Sequence, residues 1–266
     1  MSRWGLLLPE ARLQTKIFFR TAVAAFFTLV LPVMFLVMIS FFLGDEEPGA
    51  TQYVTPALAV FGMVSATFTN LAINTSMARD EGILKRVAGT PLPMTVHLGG
   101  RIVSAVFVGL ISVALMLVVG WGLFDVVIPW PRMGTFALLL ILGAATFSAL
   151  GLAVAAITPT SRAAPAVANF VVLPLAFISG VFFPLEGAAD WLRTVASLLP
   201  LEPLATAAID TFNPTVAAGF PGRAVSSVLI WGIVGLVVAV RFFSFEPATA
   251  GERTARRVQS STEIET

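Results

Sequence analysis

Long uncharged runs, separated by short charged punctuation, organise this chain. There are 24 uncharged residues between Arg20 and Asp45, 31 between Glu47 and Arg79, and 23 between Arg101 and Asp125. A further 29 lie between Arg132 and Arg162, 23 between Arg162 and Glu186, and 17 between Arg223 and Arg241. A helix needs about 20 apolar residues to cross a bilayer, with roughly 17 as the lower limit. The pattern therefore predicts an all-α integral membrane protein with six transmembrane helices, at about 21–43, 54–78, 102–122, 135–157, 165–183 and 224–243. The last run is short, but Arg241 can snorkel and lengthen it.

The segments between the runs fall into three kinds. Residues 1–20 carry Arg12, Lys16 and Arg20 at four-residue spacing, on one helix face, with Leu13, Ile17 and Phe18 off it. That fits an N-terminal interfacial helix, or equally a positive-inside flank. The charges there interrupt any signal-peptide core. Residues 184–210 are apolar but broken by Pro184, Pro200 and Pro203, which predicts short helices lying at the outer interface or dipping in and returning. Within them Trp191, Leu192, Val195, Leu198 and Leu199 form an apolar helix face. The tail, 246–266, is polar and reads as disordered cytoplasmic chain.

Lys and Arg set the orientation. With the N-terminus inside, only Arg132, Arg193 and Arg223 of the 16 basic residues face outward. The bias places both termini and residues 79–93 in the cytoplasm. The loop Asp45-Glu46-Glu47, on the outer side, has no base.

Composition then removes whole classes of chemistry. The 266 residues are 57% hydrophobic and 12% charged, about half the charge of a soluble domain. With no cysteine there is no disulfide, iron–sulfur cluster or thiol nucleophile. The one histidine, His97, cannot build a histidine metal site alone, and a surface or interfacial position is expected for it. Neither lysine, Lys16 nor Lys85, stands in a Gly-Lys-Ser/Thr context, so the chain has no P-loop ATP site and no catalytic residues are assigned. A net charge of +1 gives no nucleic-acid footprint. No predicted span carries an acid near its middle, which argues against a proton-driven carrier.

The most informative segment is Arg79 to Pro93, RDEGILKRVAGTPLP. Asp80 can cap a helix, Glu81 sits in its first turn, and Lys85 and Arg86 sit in its last. Glu81 and Lys85 form an i,i+4 pair, Gly89 suits a left-handed cap, and Pro91 stops the helix. The prediction is a charged helix of about eight residues.

This run resembles the cytoplasmic coupling segment of type-2 ABC exporter permeases, with its acidic-Gly start, basic middle and Thr-Pro-Leu end. The resemblance extends to the Pro-interrupted fifth run NFVVLPLAFISGVFFPLEG and to the short helices after it, and so covers most of the chain. Within the family the chain looks most like the daunorubicin-resistance-type drug efflux permeases. The resemblance implies a subunit of the cytoplasmic membrane that contacts an ATPase through Arg79, Asp80, Glu81, Gly82, Leu84, Lys85, Arg86, Thr90 and Pro91. It implies ATP and Mg held by two copies of a separate ATPase subunit, and a second permease copy, identical or related. The translocation path would lie between permease copies, lined by spans one, two and five. Uncharged residues of those spans are then candidate path residues: Phe35, Met38, Phe61, Phe68, Asn70, Asn74, Asn169, Phe170 and Phe177. Asn70 and Asn74 share a helix face and should meet protein or a cavity rather than lipid. Phe and Met lining with a few amides suits a hydrophobic or amphipathic cargo. The competing classes are a permease for a lipid or glycolipid precursor, an ion-coupled secondary carrier, and a membrane enzyme or assembly factor.

Overall fold

A computed structural model describes residues 3–43, 49–182, 185, 187–217 and 219–242. The loop acids Asp45, Glu46 and Glu47, Pro184 and the tail 246–266 lie outside the described residues. The described residues form helices and connecting turns, with no strand.

Helix α1 (Leu7–Arg20) ends at Thr21, whose hydroxyl donates back to the Ile17 carbonyl at 3.1 Å, and the chain bends into α2 (Ala22–Leu43). Arg12, Lys16 and Arg20 lie on the exposed side of α1, while Ala11 and Phe18 are buried. The helix sits against the start of α6 (Met94–Phe124) because Gly100 has no side chain: a Cβ there would lie 2.4 Å from Glu10 Cγ.

The second run is one continuous rod built of α3 (Ala50–Val64), a π-helical turn (Ser65–Thr69) and α4 (Asn70–Asp80). The Thr67 hydroxyl donates to the Met63 carbonyl at 2.8 Å inside that turn, the side-chain competition that commonly distorts helices. After α6 come α7 (Met133–Ile157) and α8 (Ala164–Phe177). Then follow α9 (Asp190–Leu198), α10 (Leu201–Phe212) and α11 (Gly222–Phe242).

Five of these elements are long and apolar enough to cross a membrane: Ala22–Phe42, Ala50–Asp80, Met94–Phe124, Trp130–Ile157 and Gly222–Phe242. The run predicted as a span at 165–183 contains only the 14 residues of α8, about 21 Å of helix at 1.5 Å per residue. It ends where Gly180 takes a left-handed φ of 73°. Uncharged length overestimated this helix because the Ser-Gly turn carries no charge to mark its end.

The core is built by the second rod, α6, α7 and α10. Apolar burial drives little inside a bilayer, so packing rests on close approach of small residues. Gly151 lets α7 touch the second rod: a Cβ there would stand 2.6 Å from the Phe68 carbonyl oxygen. The segment 184–210 divides as its prolines suggest. Along α9, Trp191, Val195 and Leu198 are exposed, whereas Leu201, Leu204, Ala205 and Ala208 of α10 are wholly buried against the core. Arg132 fixes the far end of α10 by donating to the carbonyls of Asn213 at 3.0 Å and Val216 at 2.8 Å. The same end is tied by Gln52, which donates to the carbonyls of Val127 and Phe212 at 2.9 and 3.0 Å.

Candidate functional site

Two features lie along the second rod, a cavity on its flank and a charged corner at its end. The cavity, about 1150 Å³, is bounded by α2, the second rod and α8. Phe61, Ser65, Thr69 and Ile73 all line it, at four-residue spacing. In a straight α-helix residues four apart drift by about 40° around the axis. The wide π turn takes up that drift and keeps one wall. Asn70 and Asn74 join this wall, and the Asn74 amide donates to the Asn70 side-chain carbonyl.

Seven of the nine predicted path residues meet here: Phe35, Met38, Phe61, Asn70, Asn74, Asn169 and Phe177. Two do not. Phe68 is buried in the core and does not line the cavity, and its backbone meets Gly151 of α7. Phe170 points away from the cavity and is 80% exposed. Adjacent in sequence to Asn169, it falls about 100° around the helix from it.

Sequence reading missed Phe182 and Tyr53. The Phe182 ring lies 5.1 Å from those of Phe61 and Phe177 and 6.4 Å from that of Phe35, gathering three elements into one aromatic cluster. The Tyr53 hydroxyl donates to the Gly180 carbonyl at 2.8 Å and ties the turn after α8 to the start of α3. Pro174 followed by the Ser-Gly turn was the signal that the chain would fold back here.

The charged corner departs from its predicted form. The helix is α5 (Ile83–Ala88), six residues rather than eight. Its left-handed residue is Gly82, φ 71°, before the helix, while Gly89 has φ −81°. Asp80 belongs to α4 and caps nothing: its carboxylate accepts the Ser161 backbone N–H at 2.6 Å. No ion pair joins Glu81 to Lys85 among the described residues.

Arg79 turns inward. It is 5% exposed and donates from Nη1 to the Ala155 carbonyl at 3.0 Å and from Nη2 to that of Thr158 at 2.6 Å. Arg79 and Asp80 together therefore clasp the α7–α8 connection. Leu84 is fully buried and seats α5 on the bundle. Glu81, Lys85, Arg86, Thr90 and Pro91 are exposed, a mixed-charge surface at the end of the rod.

His97, expected near the surface, is buried at 4% exposure and joins Glu10 through Nδ1 at 2.8 Å, the Glu10 carboxylate also accepting from Gln14 at 2.7 Å. The reason is Gly100, which brings α1 onto this turn of α6. At the far end of the molecule, burial raises the Asp210 carboxyl pKa above its ordinary value.

The chain is similar to YvfS of Bacillus subtilis (strain 168), which carries a transport-permease name: the two are 21% identical over 203 residues, 74% of this chain and 81% of YvfS. It is also similar to the inner membrane transport permease YadH of Escherichia coli (strain K12), at 25% identity over 154 residues, 56% of this chain and 58% of YadH. The model of the family described as ABC-2 type transporter matches residues 11–213, most of the length, and this chain belongs to that family.

Proposed function

We propose that this chain is the permease subunit of an ATP-driven exporter that moves a hydrophobic or amphipathic small molecule out of the cell. Two copies of a separate ATPase bind the exposed face of Glu81, Lys85, Arg86, Thr90 and Pro91, and hold the ATP and Mg. A second permease copy, identical or related, faces the cavity. Helix α8, with its short hydrophobic length, serves as the fifth of six spans, and both termini lie in the cytoplasm of a cell whose inner membrane the protein crosses.

The observation that carries this reading is the clasp of Arg79 and Asp80 on residues 155–161. A push on α5 reaches α4 through Gly82, and reaches α8 through the clasp. Both helices are walls of the cavity. Packed helices transmit such a push as rigid-body movement, which can reopen the cavity toward the other side. The Phe-rich lining, with amides from Asn70, Asn74 and Asn169, suits a drug-like molecule with an apolar body and a few polar groups.

The test is copurification of an ATPase with the tagged chain, followed by Glu81→Lys and Arg86→Glu. Both variants are expected to fold and keep ATP hydrolysis while losing export. Export unchanged in both variants would remove the coupling role, and export by the chain alone on an ion gradient would replace the ATPase with a carrier mechanism.

A further inference from the structure

We infer that a second, smaller pocket around Arg101 binds the anionic headgroup, phosphate or carboxylate, of an amphiphile whose apolar part lies in the large cavity. This deepens the exporter reading and rests on it for the ATP-driven step alone.

Arg101 stands near the cytoplasmic end of α6. That helix has 31 residues, about 46 Å at 1.5 Å per residue, against a hydrocarbon core of about 30 Å. Its first turns therefore project to headgroup level. The guanidinium is incompletely used. Nη1 donates to Thr75 Oγ1 at 2.9 Å and to the Asn74 carbonyl at 3.5 Å, while Nε is buried without a partner. No ion pair among the described residues includes Arg101. The neighbouring acid, Glu10, is turned to His97 and Gln14, and Glu81 lies exposed on the pocket rim. A half-buried cation with unfilled donors is costly until an anion joins it, and the guanidinium fork matches phosphate and carboxylate geometry.

The pocket is about 220 Å³, room for a headgroup but not for a chain. Gln14, Asn70, Asn74 and Ser104 supply neutral polar lining, and Ile17 and Met77 an apolar edge. Asn70 and Asn74 line the large cavity as well, so the two spaces adjoin across one pair of amides. A charged space and an apolar space that share a wall together fit one molecule with a head and a tail. The head could belong to the exported molecule or to a lipid of the cytoplasmic leaflet, and the chemistry is the same.

The purified chain is placed in phosphatidylcholine nanodiscs without ATP, and binding of dioctanoyl phosphatidylglycerol and dioctanoyl phosphatidylcholine is measured by native mass spectrometry. The wild type is expected to favour the anionic lipid by about tenfold, the value of one charge-assisted contact. Arg101→Gln should abolish that preference and Arg12→Gln, on the exposed face of α1, should keep it. Equal binding of both lipids by the wild type, or a preference retained in Arg101→Gln, overturns the site. The natural absence of cysteine gives a readout that needs no Arg101 variant. In Met77→Cys the single thiol should be protected from maleimide by the anionic lipid and not by the neutral one; equal labelling with both overturns the site. In vesicles holding the ATPase, ATP-dependent flipping of a fluorescent phosphatidylglycerol identifies the headgroup as the cargo's, and bound but unmoved lipid identifies a resident ligand; either upholds the site. Anion-selective binding with no ATP-driven movement of any amphiphile defeats the exporter reading and leaves the site standing.

Discussion

Arg79, in the last turn of α4, donates to the carbonyl of Thr158, just past the end of α7, at 2.6 Å. The two residues are 79 apart in sequence, and their contact fastens the Asp80 end of the second rod to the connection leading into α8. A second bond to the Ala155 carbonyl fixes the guanidinium plane. Hydrogen bonds from a charged donor contribute roughly 1.5–3 kcal/mol each when buried. Arg79→Met should therefore lower thermal stability of the purified protein measurably. In the assembled transporter it should keep ATP hydrolysis while cutting export severely. A variant with wild-type coupling would show that the push reaches α8 by another route.

The cavity makes a paired prediction. Phe177 and Phe61 touch Phe182 across the cavity, whereas Phe170 and Phe68 lie outside it. Phe177→Ala should change the apparent affinity for transported compounds several-fold, in line with losing one aromatic wall. Phe170→Ala should leave substrate affinity unchanged in a transport assay with a concentration series. Equal effects at both positions would mean that the path runs elsewhere.

At Gly151 the prediction concerns stability alone. A methyl group there would meet the Phe68 carbonyl oxygen at 2.6 Å and the Phe68 Cα at 3.1 Å, both backbone atoms. Neither can rotate aside, so Gly151→Ala must push α7 away from the second rod. Overpacking of this kind costs about 1–3 kcal/mol. The melting temperature in detergent should fall, while Gly122→Ala, where the added group meets nothing within 4 Å, should leave it near the wild-type value.

Asp210 offers a pH test. Burial raises its pKa in the folded protein, so folding favours the protonated form. The resulting penalty is present at neutral pH and vanishes below the ordinary carboxylate range near about 3.9. Asp210→Asn should therefore raise the melting temperature at pH 7, and the gain should shrink as pH falls through the folded-state value. A gain that is constant with pH would point to packing instead of ionisation.

Much of the architecture was legible from charge spacing, because a bilayer tolerates few charges in a span and the boundaries are therefore written in Arg, Asp and Glu. The exceptions are instructive. The end of α8 is set by Ser179 and Gly180, which carry no charge, so the run looked longer than the helix. Asp80 read as a helix cap because local helix rules count neighbours along the chain; the partners of Arg79 and Asp80, Thr158 and Ser161, arrive from about eighty residues away. His97 read as superficial for the same reason, since nothing near it in sequence announces Glu10. The cavity wall was mostly legible because Asn70 and Asn74, two amides on one face of an apolar rod, have few places to go. Phe68 does not line the cavity, and no pattern of apolar residues distinguishes the side of a rod that meets protein from the side that meets space.

Gly82 separates α5 from the rest of the second rod, and the space where a side chain would stand is empty for 4 Å around it. Lys85, Arg86, Thr90 and Pro91 lie beyond that left-handed residue and Glu81 immediately before it, so the exposed charged face straddles the joint while Leu84 anchors it to the bundle. Replacing the exposed Glu81, Lys85, Arg86 and Thr90 together should therefore cost copurification of the ATPase while leaving the melting temperature and the cavity's choice of passenger unchanged.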